Sequence, residues 1–217
     1  MKGIIFDLDG TMVDNMMIHH QAWQRKLSAL GLDMTLEEVM DQIHGINEEI
    51  VERLFGDRFN REQRDRISSE KEFEYRQIFK ENLELISGLP EFLLQLKQAG
   101  TPLAIGTAAP PENVDFVLDN LNIRQFFHSV LHSQSVAKGK PDPEVFLRSA
   151  ENIGVPIEDC LVFEDSVVGV QTALNSGCRV VVVTTTHKKA EFSHFPHVIK
   201  FIQDYQGLHF NDLRAVS

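Results

Sequence analysis

The sequence predicts an α/β fold, a doubly wound parallel sheet interrupted after its first strand by an all-helical insertion. Three observations predict it. Strand-like runs recur at wide spacing and are continuously apolar, the mark of strands covered on both faces. Helical patterns lie between those runs, the alternation of a doubly wound domain. One stretch, from Asn15 to Leu85, breaks the alternation and carries only helical signals.

The strand candidates are Gly3–Asp9, Pro102–Thr107, Ser129–Ser133, Cys160–Asp165 and Arg179–Thr184, with a weaker sixth at His197–Ile202. Between them, Leu89, Leu93 and Leu96 form one helical stripe closed by Gly100. Val114, Val117, Leu118 and Leu121 form another. The run from Pro141 to Gly154 predicts a helix with Asp142 as N-cap, Pro143 at the first helical position and Gly154 past its end. A further helix is expected to start at Ser166 and close at Gly177. In the inserted stretch, Thr35-x-x-Glu38 and Asn60-x-x-Gln63 are capping-box signatures. Met16, Trp23, Leu27 and Leu30 make a core-facing stripe, and Arg61 to Asn82 is a long, highly charged helical pattern. The expected organisation is a core of residues 1–14 and 86–217 with a helical domain at 15–85, hinged at Met12–Asn15 and Glu84–Gly88.

The chain has 217 residues, 42% hydrophobic and 24% charged, with a net charge of -11. That is ordinary globular composition and enough chain for a real core. The acidic balance argues against a general nucleic-acid partner or an anionic membrane, both of which need a basic face. A small phosphorylated molecule needs only one local cation or metal and stays open. Cys160 and Cys178 sit beside apolar strands, so a disulfide framework is not expected and a reducing, cytoplasmic setting fits. The first residues carry charge too early for a signal peptide, and no stretch approaches the length of a membrane span.

Ligands of an open parallel sheet sit at the carboxyl ends of the strands. Here those ends carry Asp7 and Asp9, then Thr107, then Glu164 and Asp165, with Lys140 in the connection "KGKPDP". Each alone has an ordinary explanation: a solvated turn, a β-former, a surface charge. Together they would repel, and some carboxylates would have to take up protons. A shared hard dication removes that problem, and oxygen-only ligands suit Mg²⁺.

The motifs "DLDGT", "LAIGT", "GKPDPEVF" and "LVFEDSVVGVQTALNSG", in this order and spacing, resemble those of the haloacid dehalogenase-like (HAD) hydrolase superfamily. The resemblance covers essentially the whole chain, and the helical insertion looks like that family's C1-type cap on a Rossmann-like core. The nearest subgroup is the β-phosphoglucomutase-like phosphatases. The resemblance implies Asp7 as nucleophile forming an aspartyl-phosphate and Asp9 as general acid and base. It implies Thr107 and Lys140 as phosphate holders. Mg²⁺ would be held by Asp7, the Asp9 backbone carbonyl, Asp165 and Glu164, the last directly or through water. In the cap, Asp14, His19 and Lys71 match an acid, a His and a Lys that couple closure to the site. His19 and Lys71 equally suit a packed helix residue and a solvated charge. His44, before Gly45, is a further cleft candidate.

Two positions depart from a mutase, which must also grip a second phosphate. Glu48 stands where the subgroup's mutases have an Arg, and Ala109-Pro110-Pro111 replaces polar and basic residues. Prolines have no N–H and alanine no side-chain donor. The expected activity is therefore Mg²⁺-dependent hydrolysis of a small phosphorylated metabolite such as a sugar phosphate. The alternative is β-phosphoglucomutase-type transfer. A dehalogenase has no need for Asp9 or the Glu164–Asp165 pair, and a non-catalytic binding module need not keep them. The chain is expected to be a monomer or weak homodimer.

Overall fold

The computed structural model describes residues 1–43 and 47–215. Their backbone contacts divide the chain into two compact units, residues 1–14 with 84–217, and residues 15–83.

The first unit is the α/β one. Its strands are β1 (Gly3–Phe6), β2 (Leu103–Gly106), β3 (Ser129–Leu131), β4 (Cys160–Glu164), β5 (Arg179–Val183) and β6 (Val198–Ile202). They form one parallel sheet in the order β3-β2-β1-β4-β5-β6. The weak sixth strand candidate thus pairs at the edge, where the register slips between Val180 and Val181. The order reverses direction between β1 and β4, so the crevice of this doubly wound sheet opens beside those two strands. The register Phe6↔Phe163 brings Asp7 next to Glu164 at that crevice, and the Asp7 N–H donates to the Phe163 carbonyl at 3.0 Å.

Both faces of the sheet are buried, which is why its strands are continuously apolar. On one face Ile5, Val162, Val180 and Val182 pack with Phe146 and Ala150 of α7 (Glu144–Asn152) and Val170 and Ala173 of α8 (Val167–Ser176). Alternation turns Phe6 and Phe163 to the opposite face, where their rings stack at 4.9 Å. Phe92 of α5 (Leu89–Gln98) and Tyr205 close over Phe163 at 5.6 and 5.5 Å. The Tyr205 hydroxyl donates to the Thr11 carbonyl at 2.9 Å, and the Tyr205 N–H to the Ser87 carbonyl. The segment after β6 thereby ties down the turn that follows β1, and the Ile86 N–H to Met12 carbonyl bond adds to it. α6 (Pro111–Asn120) follows β2. Cys160 and Cys178 are free and buried.

α8 begins at Ser166, whose hydroxyl accepts from the Gly169 N–H, and ends at Gly177 with φ 86°, as its sequence signals require. α7 differs by one residue: Pro143 is the N-cap and Glu144 opens the helix. Asp142 still accepts the Glu144 N–H at 3.1 Å, so its carboxylate satisfies the helix end from one position further out. Pro143, in a connection that already provides this acceptor, takes the boundary.

The second unit is all-helical: α1 (Met16–Ala29), α2 (Leu36–Gln42), α3 (Asn47–Phe55) and α4 (Arg61–Phe79). Both capping boxes form, at Thr35 with Glu38 and Asn60 with Gln63. The charged helical pattern ends earlier than Asn82, with Lys80–Asn82 continuing as a 3₁₀ turn. Trp23 and Leu27 are buried in a core with Val39, Ile50, Val51 and Ile67, and Leu30 packs against it.

Tyr205→Phe removes one hydroxyl from a packed site and leaves the Thr11 carbonyl buried without that donor. It should lower unfolding free energy by about 1–2 kcal/mol in denaturant titration. An unchanged midpoint would show that the hydroxyl does not anchor the turn.

Candidate active site

The carboxylates sit just past the strand ends, where the chain leaves the sheet. β1 stops at Phe6, so both Asp7 and Asp9 lie beyond it. Asp7, Glu164 and Asp165 are at most 5% exposed. Their carboxylates each offer an oxygen within 4.8 Å of the others.

Lys140 joins them. Its ammonium donates to Asp7 Oδ1 and to Glu164 Oε1, both at 2.7 Å, and lies 4.7 Å from the Phe146 ring centre. Glu164 is almost fully committed. Its Oε2 accepts the Asp165 N–H, the Ser166 N–H and the Ser166 hydroxyl at 2.7–3.0 Å. Asp165 Oδ1 accepts from the Thr11 hydroxyl at 3.3 Å.

Three buried carboxylates against one ammonium leave an excess of negative charge. Burial, followed by the nearby Glu164 and Asp9 charges, pushes Asp7 up to about 7 even though Lys140 pulls the other way. Burial and the charges of Glu164 and Asp7 push Asp165 up as well. Burial opposes the Lys140 charge, yet Asp7 and Glu164 outweigh it and hold the ammonium protonated. Protons are thus drawn to the site where a dication would serve better. The donor atoms are all oxygen, the set that suits a hard divalent ion. The residues fit such a metal.

Two glycines make the cluster possible. Gly10 has φ 72°, and a Cβ there would lie 2.1 Å from Asp165 Oδ2. Gly169 sits inside α8, where a Cβ would lie 1.6 Å from Glu164 Oε1. Glycine costs a helix interior about 1 kcal/mol relative to alanine. Here that cost admits the carboxylate.

Thr107 is buried one residue past the end of β2, which pairs with β1. Its oxygen accepts the Ala109 N–H at 3.1 Å, leaving its own proton free to donate. Asp9 is half-buried and bridges to Val13 across the turn. Asp14 is exposed at the end of its unit.

The remaining candidates belong to the helical unit. Lys71 is 2% exposed rather than solvated. It contacts His19 Nδ1 at 2.8 Å and Glu72 Oε1 at 2.9 Å. His19 stacks on Tyr75 with 3.9 Å between ring centres, and Asn47 donates to Glu72 at 2.7 Å. Glu48 lies in the first turn of α3 on the surface, where partial burial and the neighbouring Asp65 raise its pKa. His44 lies outside the described residues.

Sequence reasoning missed Thr11, Ser166, Gly169 and Glu72. Gly169 did leave a signal, a lone glycine in an otherwise apolar helix, which marks a close approach. Ser166, which the sequence marks as a helix start, also donates its N–H and hydroxyl to Glu164.

The model of the haloacid dehalogenase-like hydrolases matches residues 1–177. The chain belongs to that family. This HAD-like hydrolase is 31% identical over 190 residues to the beta-phosphoglucomutase of Bacillus subtilis, covering 83% of this chain and 82% of that one. It is 30% identical over 182 residues to the phosphorylated carbohydrates phosphatase of Thermotoga maritima, covering 82% of each. A crystal structure of a HAD hydrolase, family IA, variant 3, from Entamoeba histolytica matches with a TM-score of 0.91 at 22% identity, covering 100% of this chain and 99% of that one. At that identity the structural likeness speaks for the fold. The protein is an enzyme of the HAD type, with relatives named as phosphatase and phosphoglucomutase.

Helix propensity alone says Gly169→Ala should stabilise this HAD-like hydrolase. The Glu164 carboxylate says the reverse. A loss of about 2 kcal/mol or more is expected in denaturant unfolding, and a rise in stability would contradict the packing.

Proposed function

We propose that the enzyme is a Mg²⁺-dependent phosphomonoester hydrolase working through an aspartyl-phosphate on a small phosphorylated metabolite, a sugar phosphate being the favoured class. The observation that carries this reading is the Lys140 ammonium held 2.7 Å from both Asp7 and Glu164, with Asp165 alongside. We read the α/β unit as the catalytic core and the helical unit as its cap.

In this reading Asp7, Asp165, the Asp9 carbonyl and Glu164, directly or through water, hold Mg²⁺, which supplies charge neutralisation for an anionic phosphoryl group meeting a carboxylate. Lys140 and the Thr107 hydroxyl grip phosphoryl oxygens. A free oxygen of Asp7 attacks phosphorus as the bond to the leaving oxygen breaks. Asp9 delivers a proton to that oxygen, releasing the alcohol. Asp9 then takes a proton from water as the water attacks phosphorus. The aspartyl bond breaks, Asp7 regains its carboxylate and phosphate departs.

Hydrolysis is favoured over mutase activity by the loop after β2. Pro110 caps α6 and Pro111 opens it, and neither has an N–H. The Ala109 N–H is already engaged by Thr107. Nothing in this run is left to grip a second phosphate. Glu48, where a cation would be wanted, is an acid beside Asp65. The sugar-phosphate class draws support from the relative named for phosphorylated carbohydrates.

Turnover of β-glucose 1-phosphate with a bisphosphate primer separates the two activities. Free phosphate should appear with little glucose 6-phosphate; the opposite product ratio would assign the enzyme as a mutase. Asp7→Asn should keep the fold and lose p-nitrophenyl phosphate turnover by about 10³-fold or more. Retention of most activity would displace Asp7 as nucleophile.

The raised carboxylates also set a pH dependence. The folded state binds protons at Asp7 up to about pH 7, whereas an unfolded Asp releases them near pH 4. Stability of the metal-free protein therefore falls as pH rises through that window. The gain in Tm on adding Mg²⁺ should be larger at pH 7.5 than at pH 5. Equal gains at both would show that these groups carry no excess charge.

A further inference from the structure

Lys140 lies in a connection with little regular structure between β3 and α7. A lysine side chain is long and flexible, so its ammonium is accurately placed only if the backbone beneath it is fixed. Two side chains outside the connection hold that backbone. Glu144, first residue of α7, turns its Oε2 back to accept the Ala137 and Lys138 N–H groups at 2.9 and 3.1 Å. Asn175, in the last turn of α8, donates its amide to the Pro141 carbonyl at 2.8 Å. One contact lies before Lys140 and the other just after it.

Each anchor is itself oriented. Arg148 donates to the Ser135 carbonyl and reaches the other oxygen of Glu144 at 3.4 Å. Gln171 donates to Asn175 Oδ1 at 2.8 Å, one helical turn back, which turns the Asn175 nitrogen toward Pro141. Neither anchor serves merely its own helix. A glutamate in a first turn favours the helix end by its charge alone, yet this one is spent on N–H groups of the preceding connection. An exposed asparagine near a helix end would ordinarily cap that end; this one instead reaches the Pro141 carbonyl, one residue past Lys140.

We propose that Glu144 and Asn175 form a two-point clamp on residues 137–141 and act as positioning residues for Lys140. The proposal rests on the phosphoryl-transfer reading above, in which Lys140 holds the transferring group. A displacement of about 1 Å in such a group can cost up to about 100-fold in rate.

The test is steady-state hydrolysis of p-nitrophenyl phosphate with saturating Mg²⁺. Lys140→Met, Glu144→Ala, Glu144→Gln and Asn175→Asp are compared with wild type, with Tm recorded for each. Glu144→Ala should lower kcat/KM about 30-fold, and Glu144→Gln, which keeps an acceptor oxygen, should recover to within about 3-fold of wild type. Asn175→Asp keeps the shape but loses the donor, and should fall about 10-fold with little change in Tm. A crystal structure of Asn175→Asp should show the Lys140 ammonium withdrawn from Asp7. Wild-type kcat/KM in Asn175→Asp and Glu144→Ala alongside inactive Lys140→Met would overturn the clamp and leave the hydrolase reading intact. So would an unmoved ammonium in the variant's structure. Near-wild-type turnover by Lys140→Met would instead remove the reading on which the clamp depends.

Discussion

The rest of the site depends on one imbalance: three carboxylates buried against a single ammonium. Lys140 neutralises one charge through its paired contacts to Asp7 and Glu164. The remaining charge is what a buried site tolerates least, since an unpaired carboxylate in low dielectric is far more costly than one in water. The upward displacement of Asp7 and Asp165 expresses that cost. In the proposed reading a dication completes the balance, so the cost of the excess negative charge becomes affinity for the metal.

The fold creates the imbalance by bringing remote segments to one point. Strand order reverses between β1 and β4, and the two acidic strand ends meet at that reversal. Small residues then let the acids approach: Gly10 gives way to Asp165, and Gly169 to Glu164. The opposite face of the sheet contributes rigidity. Phe6, Phe163, Phe92 and Tyr205 form one aromatic cluster directly beneath the strand ends. Its single polar handle, the Tyr205 hydroxyl, holds the turn after β1.

Much of this was legible in the sequence because it follows local rules. Continuous apolar runs marked strands buried on both faces, and the capping boxes at Thr35 and Asn60 marked true helix starts. Acids at the ends of such runs marked the site, since nothing structural requires them there. What was not legible depends on partners far along the chain. Lys71 sits in a helix whose charge suits exposure as well as burial; the side chain is buried against His19, which only folding brings to it, beside the adjacent Glu72. Tyr205 gave no local sign that its hydroxyl would reach Thr11. The start of α7 moved by one residue because Asp142 can satisfy the same N–H from either register. Glu48 and the Ala109-Pro110-Pro111 run, on which the proposed preference for hydrolysis rests, are matters of residue chemistry rather than of fold.

The most direct measurement of the central claim is calorimetric titration of the metal-free enzyme with Mg²⁺ near pH 6.5, repeated in buffers of different ionisation enthalpy. Protons held by Asp7 and Asp165 should be expelled as the ion binds, so the observed heat should vary with the buffer, and Asp165→Asn should weaken both binding and proton release. Binding whose heat is the same in every buffer, or no binding at all, would contradict a site built on excess buried negative charge.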